Sequence, residues 1–285
     1  MQLQKNVPLA QFTRFGVGGV AENYFAPTSV AELSEFFNNS PPGGSRQAVG
    51  APVGGKNFHI LGAGSNVLIP DAGLSGIVIH TIKLTGVRPD GDEIVAECGT
   101  PDAIVSRYGD GLKFLAGIPG TIGAAVLTNA GCWGREVSDA IVSVDVMDLT
   151  TGAVRTVAAA DLNLSYRHGE IPHGTMIVSV RLRRDGPQMD IDELLAKKNA
   201  SQPVAAKTAG STFKNPAAGP AWKFIKESGA AELTVGGARV SPVHANFVEN
   251  YDNATAADIR ELIARIQERV AAHSGVHLEP EVTIL

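Results

Sequence analysis

The sequence predicts an α+β protein in three parts, and three features carry that prediction. Strand-like, β-branched runs dominate residues 92–184, helical periodicity becomes strong only after Pro216, and a glycine turn follows a short strand near residue 61. Strands and helices segregated along a chain in this way indicate α+β rather than alternating βαβ architecture. The 285 residues are 44% hydrophobic and 19% charged, an ordinary globular balance with core enough for two or three units.

"TSVAELSEFF" (28–37) starts a helix. Ser29 and Glu32 have capping-box spacing, and Val30, Leu33, Phe36 and Phe37 form one apolar stripe. The Pro-, Gly- and Ser-rich segment 38–57 reads as a surface loop. "FHIL" is a strand running into glycines, and "GIVIH" (76–80) is another. "EIVAECG", "AIVSVDVMDL", "AVRTVA" and "MIVSVRLR" are strands separated by turns, and "DLTTGAV" has hairpin chemistry. Residues 190–200 predict a linker helix, and "AWKFIKESGA" a helix with Gly229 as its C-cap. The clearest helix is 255–275: Thr255 and Asp258 form a capping-box-like pair, Ile259, Leu262, Ile263, Ile266 and Val270 share a face, and Gly275 ends it. "HLEPEVTIL" closes the chain as a short strand.

A net charge of −5 gives no electrostatic reason to expect nucleic acid. The cluster Arg181, Arg183 and Arg184 is a solvated strand end. Two distant cysteines, Cys98 and Cys132, read as reduced thiols, and the start of the chain shows no leader pattern. No apolar run approaches the ~20 residues that span a bilayer. A cytoplasmic protein without a membrane segment is expected. The seven histidines show no ligand spacing, so no metal is expected, and there is no G-x-S-x-G elbow.

Two glycine stretches could cradle phosphates. In "LGAGSN", Gly62, Ala63, Gly64, Ser65 and Asn66 directly follow a strand, where successive N–H groups can form an anion nest. A plain strand-ending turn is the rival reading. It is not the dinucleotide fingerprint, because Val67 holds the third glycine's place. "GAPVGGKN" (50–57) is a Walker A near-miss, rejected because Asn57 stands where Ser or Thr should bind Mg²⁺ and no strand precedes it. The second stretch, 116–131, offers Gly117, Ile118, Pro119, Gly120, Thr121, Gly123 and Ala124 with little bulk. It suits a segment pressed against a flat ligand or a diphosphate, or else a small-residue helix packed closely on a neighbour. Two separated stretches fit a long dinucleotide ligand. A third stretch, "AGSTFKNP" (209–216), has neither strand nor helix period and presents a hydroxyl, a cation and an amide.

Taken together the motifs run in one order: "TRFGVGG", "LGAGSNVLIPDAGLSGIVI", "FLAGIPGTIGAAVLTNAG", "LSYR", "AGSTFKNP", "VSPVHANFVEN" and "LEPEV". The sequence resembles the UDP-N-acetylenolpyruvoylglucosamine reductase family, flavoenzymes that complete UDP-N-acetylmuramate in bacterial cell-wall synthesis. The resemblance implies a two-domain FAD-binding unit of the vanillyl-alcohol-oxidase type plus a C-terminal α+β substrate domain. The boundaries expected are 1–80, joined by the strand at 276–285, then 81–189 and 190–275. The short path from Arg167 to Lys197 fits the subgroup without a tyrosine-loop insertion. Ala124, Trp133, His168 and Val243 depart from the family pattern.

The resemblance also implies the chemistry. FAD, held without a covalent link, would take hydride from NADPH and pass it to the enolpyruvyl sugar, an oxidoreductase reaction at a carbon–carbon double bond. Ser211 matches the family's proton donor. Arg167 would clamp the substrate carboxylate, Glu281 would help hold the enolate, and Lys214 and Asn215 would contact the UDP-sugar. A monomer is favoured. Another FAD oxidoreductase of the same fold and a non-catalytic nucleotide-binding module are the alternatives.

Overall fold

The computed structural model describes residues 3–39, 52–53 and 56–285. Most of the 38–57 loop and of the Walker-like segment lies outside the described residues. The described remainder forms a tight pair, Pro52 opposite Asn57 and Val53 opposite Lys56. The chain divides into two compact units. The first comprises Met1–Val7, Ala21–Ala63 and Ser75–Leu195, and the second Pro8–Val20, Gly64–Leu74 and Ala196–Leu285.

The first unit holds two five-stranded sheets. One runs in the order Gln4–Pro8, Val20–Phe25, Leu74–His80, Lys56–Leu61, Pro52–Val53. Its centre is a parallel pair, Phe58 opposite Ile77 through Leu61 opposite His80. The helix Val30–Asn38 is N-capped by Ser29, whose hydroxyl accepts from the Glu32 N–H at 3.1 Å. The Glu32 carboxylate turns back to the N–H and hydroxyl of Thr28, at 2.8 Å each, one residue earlier than the expected box. The helix buries Leu33, Phe36 and Phe37, and the Phe36 ring stacks on Phe25 at 4.8 Å between centroids.

The second sheet is antiparallel throughout, in the order Val154–Ala158, Ile141–Asp148, Thr175–Arg183, Glu93–Glu97, Val87–Asp90. Asp148 Oδ1 accepts from the N–H groups of Thr150 and Thr151, and Gly152 takes φ +66, which makes the predicted hairpin turn. One continuous apolar cluster joins the faces of both sheets, from Phe25 and Ile77 to Val144 and Val180.

The second unit packs around the helix Ala256–Ser274. Ile259, Leu262, Ile263, Ile266 and Val270 are buried on one face, as the 3.6-residue period requires. Thr255 and Asp258 exchange both arms of the capping box, and the Asp71 carboxylate takes the Ala256 and Ala257 N–H groups at 2.8 and 3.0 Å. The first-turn donors, which lack partners inside a helix, are thus met by side chains. Gly275 at φ +70 ends the helix. Thr283–Ile284 pairs in parallel with Val67–Leu68. Helix Ile191–Ser201, the expected linker, contains the division between the units after Leu195.

In the first unit, His80 is 4% exposed and its Nδ1 lies 2.6 Å from the buried Tyr24 hydroxyl. Burial pushes the His80 pKa down, opposed by a bond to the Gly62 backbone and reinforced by the charge of Lys83. A folded-state pKa below the unfolded value of about 6.5 means that the neutral ring is the stabilising form. Its contribution is full above pH ~6.5 and is lost as pH falls through the folded value. Urea unfolding of the wild type should show this loss between neutral and mildly acid pH, and His80→Gln should flatten that part of the profile. A variant with the wild-type slope there would mean that other groups cause it.

Candidate active site

The first unit contains a cleft of about 70 Å³ lined on one side by Gly62, Thr81, Cys98, Thr121, Gly123 and Ala124, and elsewhere by apolar side chains such as Ile60, Leu127 and Met176. The second glycine stretch makes this wall by close packing. The N–H of Gly123 donates to the Cys98 carbonyl at 2.9 Å, and that of Ile122 to Thr100 at 3.0 Å. A Cβ on Gly123 would stand 2.7 Å from the Cys98 Cβ, and one on Gly62 would stand 2.6 Å from Thr121 Oγ1. Both contacts are closer than real side chains tolerate, so backbone itself forms the surface. The helix Ile122–Leu127 starts here, so the stretch is at once a closely packed small-residue helix and a cleft wall.

Thr121 Oγ1 is buried and has no hydrogen-bond partner among the described residues. A buried hydroxyl without a partner is costly, and one on a cleft wall offers a donor to a bound ligand. The Cys98 thiol is pushed up to about 12, chiefly by burial and then by the Glu97 charge, so it stays neutral. Gly117 serves another purpose: a Cβ there would meet Cys132 Sγ at 2.7 Å and the Trp133 ring at 2.8 Å. Ile118 donates its N–H to Leu115, Pro119 is exposed, and the Gly120 carbonyl accepts from Asp102 at 3.1 Å.

Arg167 also belongs to the first unit, in a turn that Ser165 and His168 close by exchanging two backbone hydrogen bonds of 3.0 Å. Its φ is +53, a left-handed conformation unusual for a residue with a Cβ. The guanidinium donates to the Gly131 carbonyl at 3.3 Å and lies 3.7 Å from Glu136 Oε1. Asn129, 1% exposed, ties this turn to the hairpin that follows the glycine stretch. Its amide donates to Glu136 Oε2 at 2.9 Å and to the Ser165 carbonyl at 3.0 Å, and its oxygen accepts from Ser138 N–H at 2.9 Å.

In the second unit, Ser211 follows Gly210, whose φ is +87, and forms an isolated bridge with Phe247. Asn246 clamps the segment: its Oδ1 accepts from the Phe213 N–H at 3.0 Å, its Nδ2 donates to the Phe213 carbonyl at 2.8 Å, and its backbone carbonyl accepts from Thr212 at 2.7 Å. The Glu281 N–H donates to the Thr212 carbonyl at 2.8 Å, which pairs Glu281 with the residue that follows Ser211. Asn66 of the first glycine stretch reaches the same strand, its Nδ2 donating to the Glu281 carbonyl at 2.9 Å. Gly64 accepts from the Arg14 N–H at 2.9 Å, and Ser65 is half-buried. Lys214 pairs with Glu279 at 2.7 Å, and Asn215 caps the helix Ala221–Glu227 through the Ala221 N–H at 3.0 Å. The predicted residues thus fall into two sets. Gly62, Ala63, the 117–124 stretch and Arg167 belong to the first unit, while Gly64, Ser65, Asn66, Ser211, Lys214, Asn215 and Glu281 belong to the second. Glu136 and Asn246 went unassigned in the sequence. Each could have been noticed as a polar residue set in a glycine-rich or buried stretch.

Two sheets in one unit, a wall of bare backbone and a buried unpartnered hydroxyl describe a protein of the FAD-binding-domain class, and residues 51–158 match the model of an FAD binding domain. Residues 202–285 match the C-terminal domain of UDP-N-acetylenolpyruvoylglucosamine reductase. The enzyme of that name from Novosphingobium aromaticivorans is 37% identical over 99% of this chain and 94% of its own. That from Caulobacter vibrioides is 38% identical over 96% of this chain and 91% of its own. The crystal structure of the Thermus caldophilus reductase superposes with a TM-score of 0.80 at 29% identity, covering 100% of this chain and 99% of that one. The chain belongs to the UDP-N-acetylenolpyruvoylglucosamine reductase family. The resemblance and fold class expected from the sequence are borne out. Among the described residues no helix is long and apolar enough to cross a membrane, and no group of side chains could hold a metal ion.

Asn129 sits at φ +39 with its side-chain amide fully used. Asn129→Ala should cost about 2–3 kcal/mol, because it leaves the part-buried Ser138 N–H, the Ser165 carbonyl and Glu136 each short of a partner and because alanine tolerates a positive φ less well than asparagine. Asn129→Gly should be less costly than Ala, since glycine accepts that φ. Urea denaturation of both checks the order; the reverse order would mean that the backbone conformation carries no cost.

Proposed function

We propose that this protein reduces UDP-N-acetylglucosamine enolpyruvate to UDP-N-acetylmuramate in the cytoplasm, with FAD as its bound cofactor and NADPH as the electron source. Membership of the family supports the reaction, and the local geometry of Ser211 and Glu281 supports the roles. The observation that carries most is the 2.8 Å bond from Glu281 N–H to the carbonyl of Thr212, which ties the segment bearing that acid to the residue next to Ser211. The two separate sheets of the first unit support a division of the FAD-binding part near residue 80. The second unit's helices and short sheet support a substrate domain from residue 190.

The cleft residues fit FAD. Gly62 and Gly123 let the wall pack closely on Thr121 and Cys98, and Thr121 has a buried hydroxyl to give. When bound, the flavin supplies the hydride for the enolpyruvyl double bond. The rest of the chemistry belongs to the protein. Hydride addition at the vinyl carbon drives charge onto the substrate carboxylate and creates an enolate. Arg167, planar and always charged, is suited to hold that carboxylate by two parallel N–H···O bonds. Glu281 stabilises the enolate best when it keeps or shares a proton. Ser211 then delivers its hydroxyl proton to the α carbon. A hydroxyl is a weak acid, but a carboxylate enolate is basic enough that position matters more than pKa. The clamp from Asn246 and the bridge to Phe247 provide that fixed position. Lys214 and Asn215 extend the same loop toward the sugar nucleotide.

Two experiments test this reading. Acid denaturation should release free FAD into a yellow supernatant; a yellow pellet would mean a covalent link. Thr121→Val should weaken FAD binding about 5- to 10-fold, the value of one ordinary hydrogen bond, while leaving apo-protein stability unharmed because the hydroxyl has no protein partner to lose. Unchanged FAD affinity would remove Thr121 from the cofactor site.

Ser211→Ala should separate the half-reactions. NADPH needs no proton from Ser211, so it should bleach the flavin at near the wild-type rate. Reoxidation by the enolpyruvyl sugar should slow by ~10²–10⁴-fold, the usual contribution of a general acid. Stopped-flow absorbance reads each step separately. Equal slowing of both would make Ser211 a structural turn residue and place the proton donor elsewhere.

A further inference from the structure

One contact beside Arg167 has no part in the chemistry above. The inference drawn from it deepens the role proposed for Arg167 and rests on that reading. We propose that Glu136 is a positioning residue, a resting counter-ion of Arg167, which Asn129 helps to hold beside the guanidinium and which the substrate carboxylate displaces from it.

The Glu136 carboxylate has three partners: it accepts from the Asp139 backbone N–H in a capping box, accepts from Asn129, and faces Arg167. Oε2 accepts from Asn129 at 2.9 Å, whereas Oε1 stands 3.7 Å from Arg167 Nη1. The first is a hydrogen bond, and the second is too long for one. Glu136 therefore neutralises Arg167 without a bidentate grip on it. The acid cannot swing closer or away freely, because Asn129 is itself fixed. A backbone N–H from Ser138 must meet the amide oxygen, which leaves the amide nitrogen for Glu136 and the Ser165 carbonyl. That carbonyl belongs to the turn that aims Arg167. The Asn129 amide and the Asp139 N–H together thus set the separation of acid and base.

Gly131 lets the two come together. A Cβ there would lie 2.8 Å from Glu136 Cγ and 3.3 Å from Arg167 Nη1, so any side chain would push the pair apart. Both charged groups stay partly open to solvent, with side-chain exposures of 19% for Arg167 and 32% for Glu136. An arriving carboxylate can therefore reach the guanidinium, form shorter charge-assisted hydrogen bonds with it and outcompete the 3.7 Å partner. Glu136 then faces a like charge, and that repulsion is a cost on substrate binding. An anion that cannot bond Arg167 in the same geometry meets the repulsion without the compensation, so the acid selects for a planar carboxylate.

The test uses the FAD-loaded full chain with Glu136→Gln, which keeps an acceptor for Asn129 and removes only the charge. Two ligands are compared: the enolpyruvyl sugar as substrate, and UDP-N-acetylglucosamine, which lacks the carboxylate, as a competitive inhibitor. The KM for the substrate should fall about two- to fivefold, the range expected for one partly exposed charge contact. The Ki for the inhibitor should not change, and the fall in KM should shrink as salt is added. An unchanged or raised KM, or an equal fall for both ligands, overturns the proposal. Glu136→Asp, which draws the charge back from Arg167, should lower KM in the same direction by less, and it carries the test should the glutamine variant fail to fold. Wild-type protein that neither binds nor reduces the enolpyruvyl sugar would overturn the functional reading and this inference with it. Wild-type turnover with a wild-type-like Glu136→Gln would overturn this inference alone.

Discussion

A buried primary amide has one acceptor and two donors to place, and Asn129 spends them on two segments, Glu136 and Ser138 on one and Ser165 on the other. That constraint organises the reactive part of the first unit. The glycine stretch delivers the chain to residue 129, the hairpin after it brings back Glu136, and the turn at Ser165–His168 brings Arg167. The short helix and the two-stranded hairpin are too small to fix the turn against them unaided, and the amide, itself 1% exposed, ties them together.

The second unit uses the same device for Ser211. Asn246 exchanges two hydrogen bonds with the backbone of Phe213 and lends its carbonyl to Thr212. In effect an amide side chain acts as a one-residue strand, pairing with a loop that has no strand neighbour at that edge. The Thr212 hydroxyl accepts from Val248 N–H on the same side, and the Thr212 carbonyl takes Glu281 on the other. The segments bearing Ser211 and Glu281 are therefore held through main-chain groups, which are stiffer than contacts between long side chains. That suits the proton transfer proposed for Ser211, in which position matters more than acidity.

Legibility in the sequence followed the range of the interactions. The helix at 256–274 was readable because its cap, apolar stripe and terminating glycine are all local. The hairpin at Asp148–Gly152 was readable for the same reason. The strands Gln4–Pro8 and Val20–Phe25 were not, since they are short, polar and largely exposed on one face, and they exist through pairing with Leu74–His80 and each other. Ser211, Arg167 and Glu281 stood out through ordered motifs. Glu136 and Asn246 did not, because what makes them matter lies 36 residues away in the first case, by way of Asn129 and Ser165, and 33 in the second. A polar residue in a loop advertises no such partner. The value of Gly131 is likewise invisible in a line of text, where it is one glycine among 32.

The strand bearing Glu281 is secured by the side chain of Asn66, 215 residues earlier, and by Val67–Leu68 in parallel register. Such closures carry a large chain-entropy cost before any contact rewards it, so they form slowly. The first unit's core, by contrast, draws its buried members from residues 25–182, with Met189 packed against them. The order of assembly follows: the wall with Gly123 and Thr121 can be complete while the neighbourhood of Glu281 is still searching for its partners. On the function proposed above, a chain that folds in this order passes through a stage able to bind its cofactor but not yet able to react.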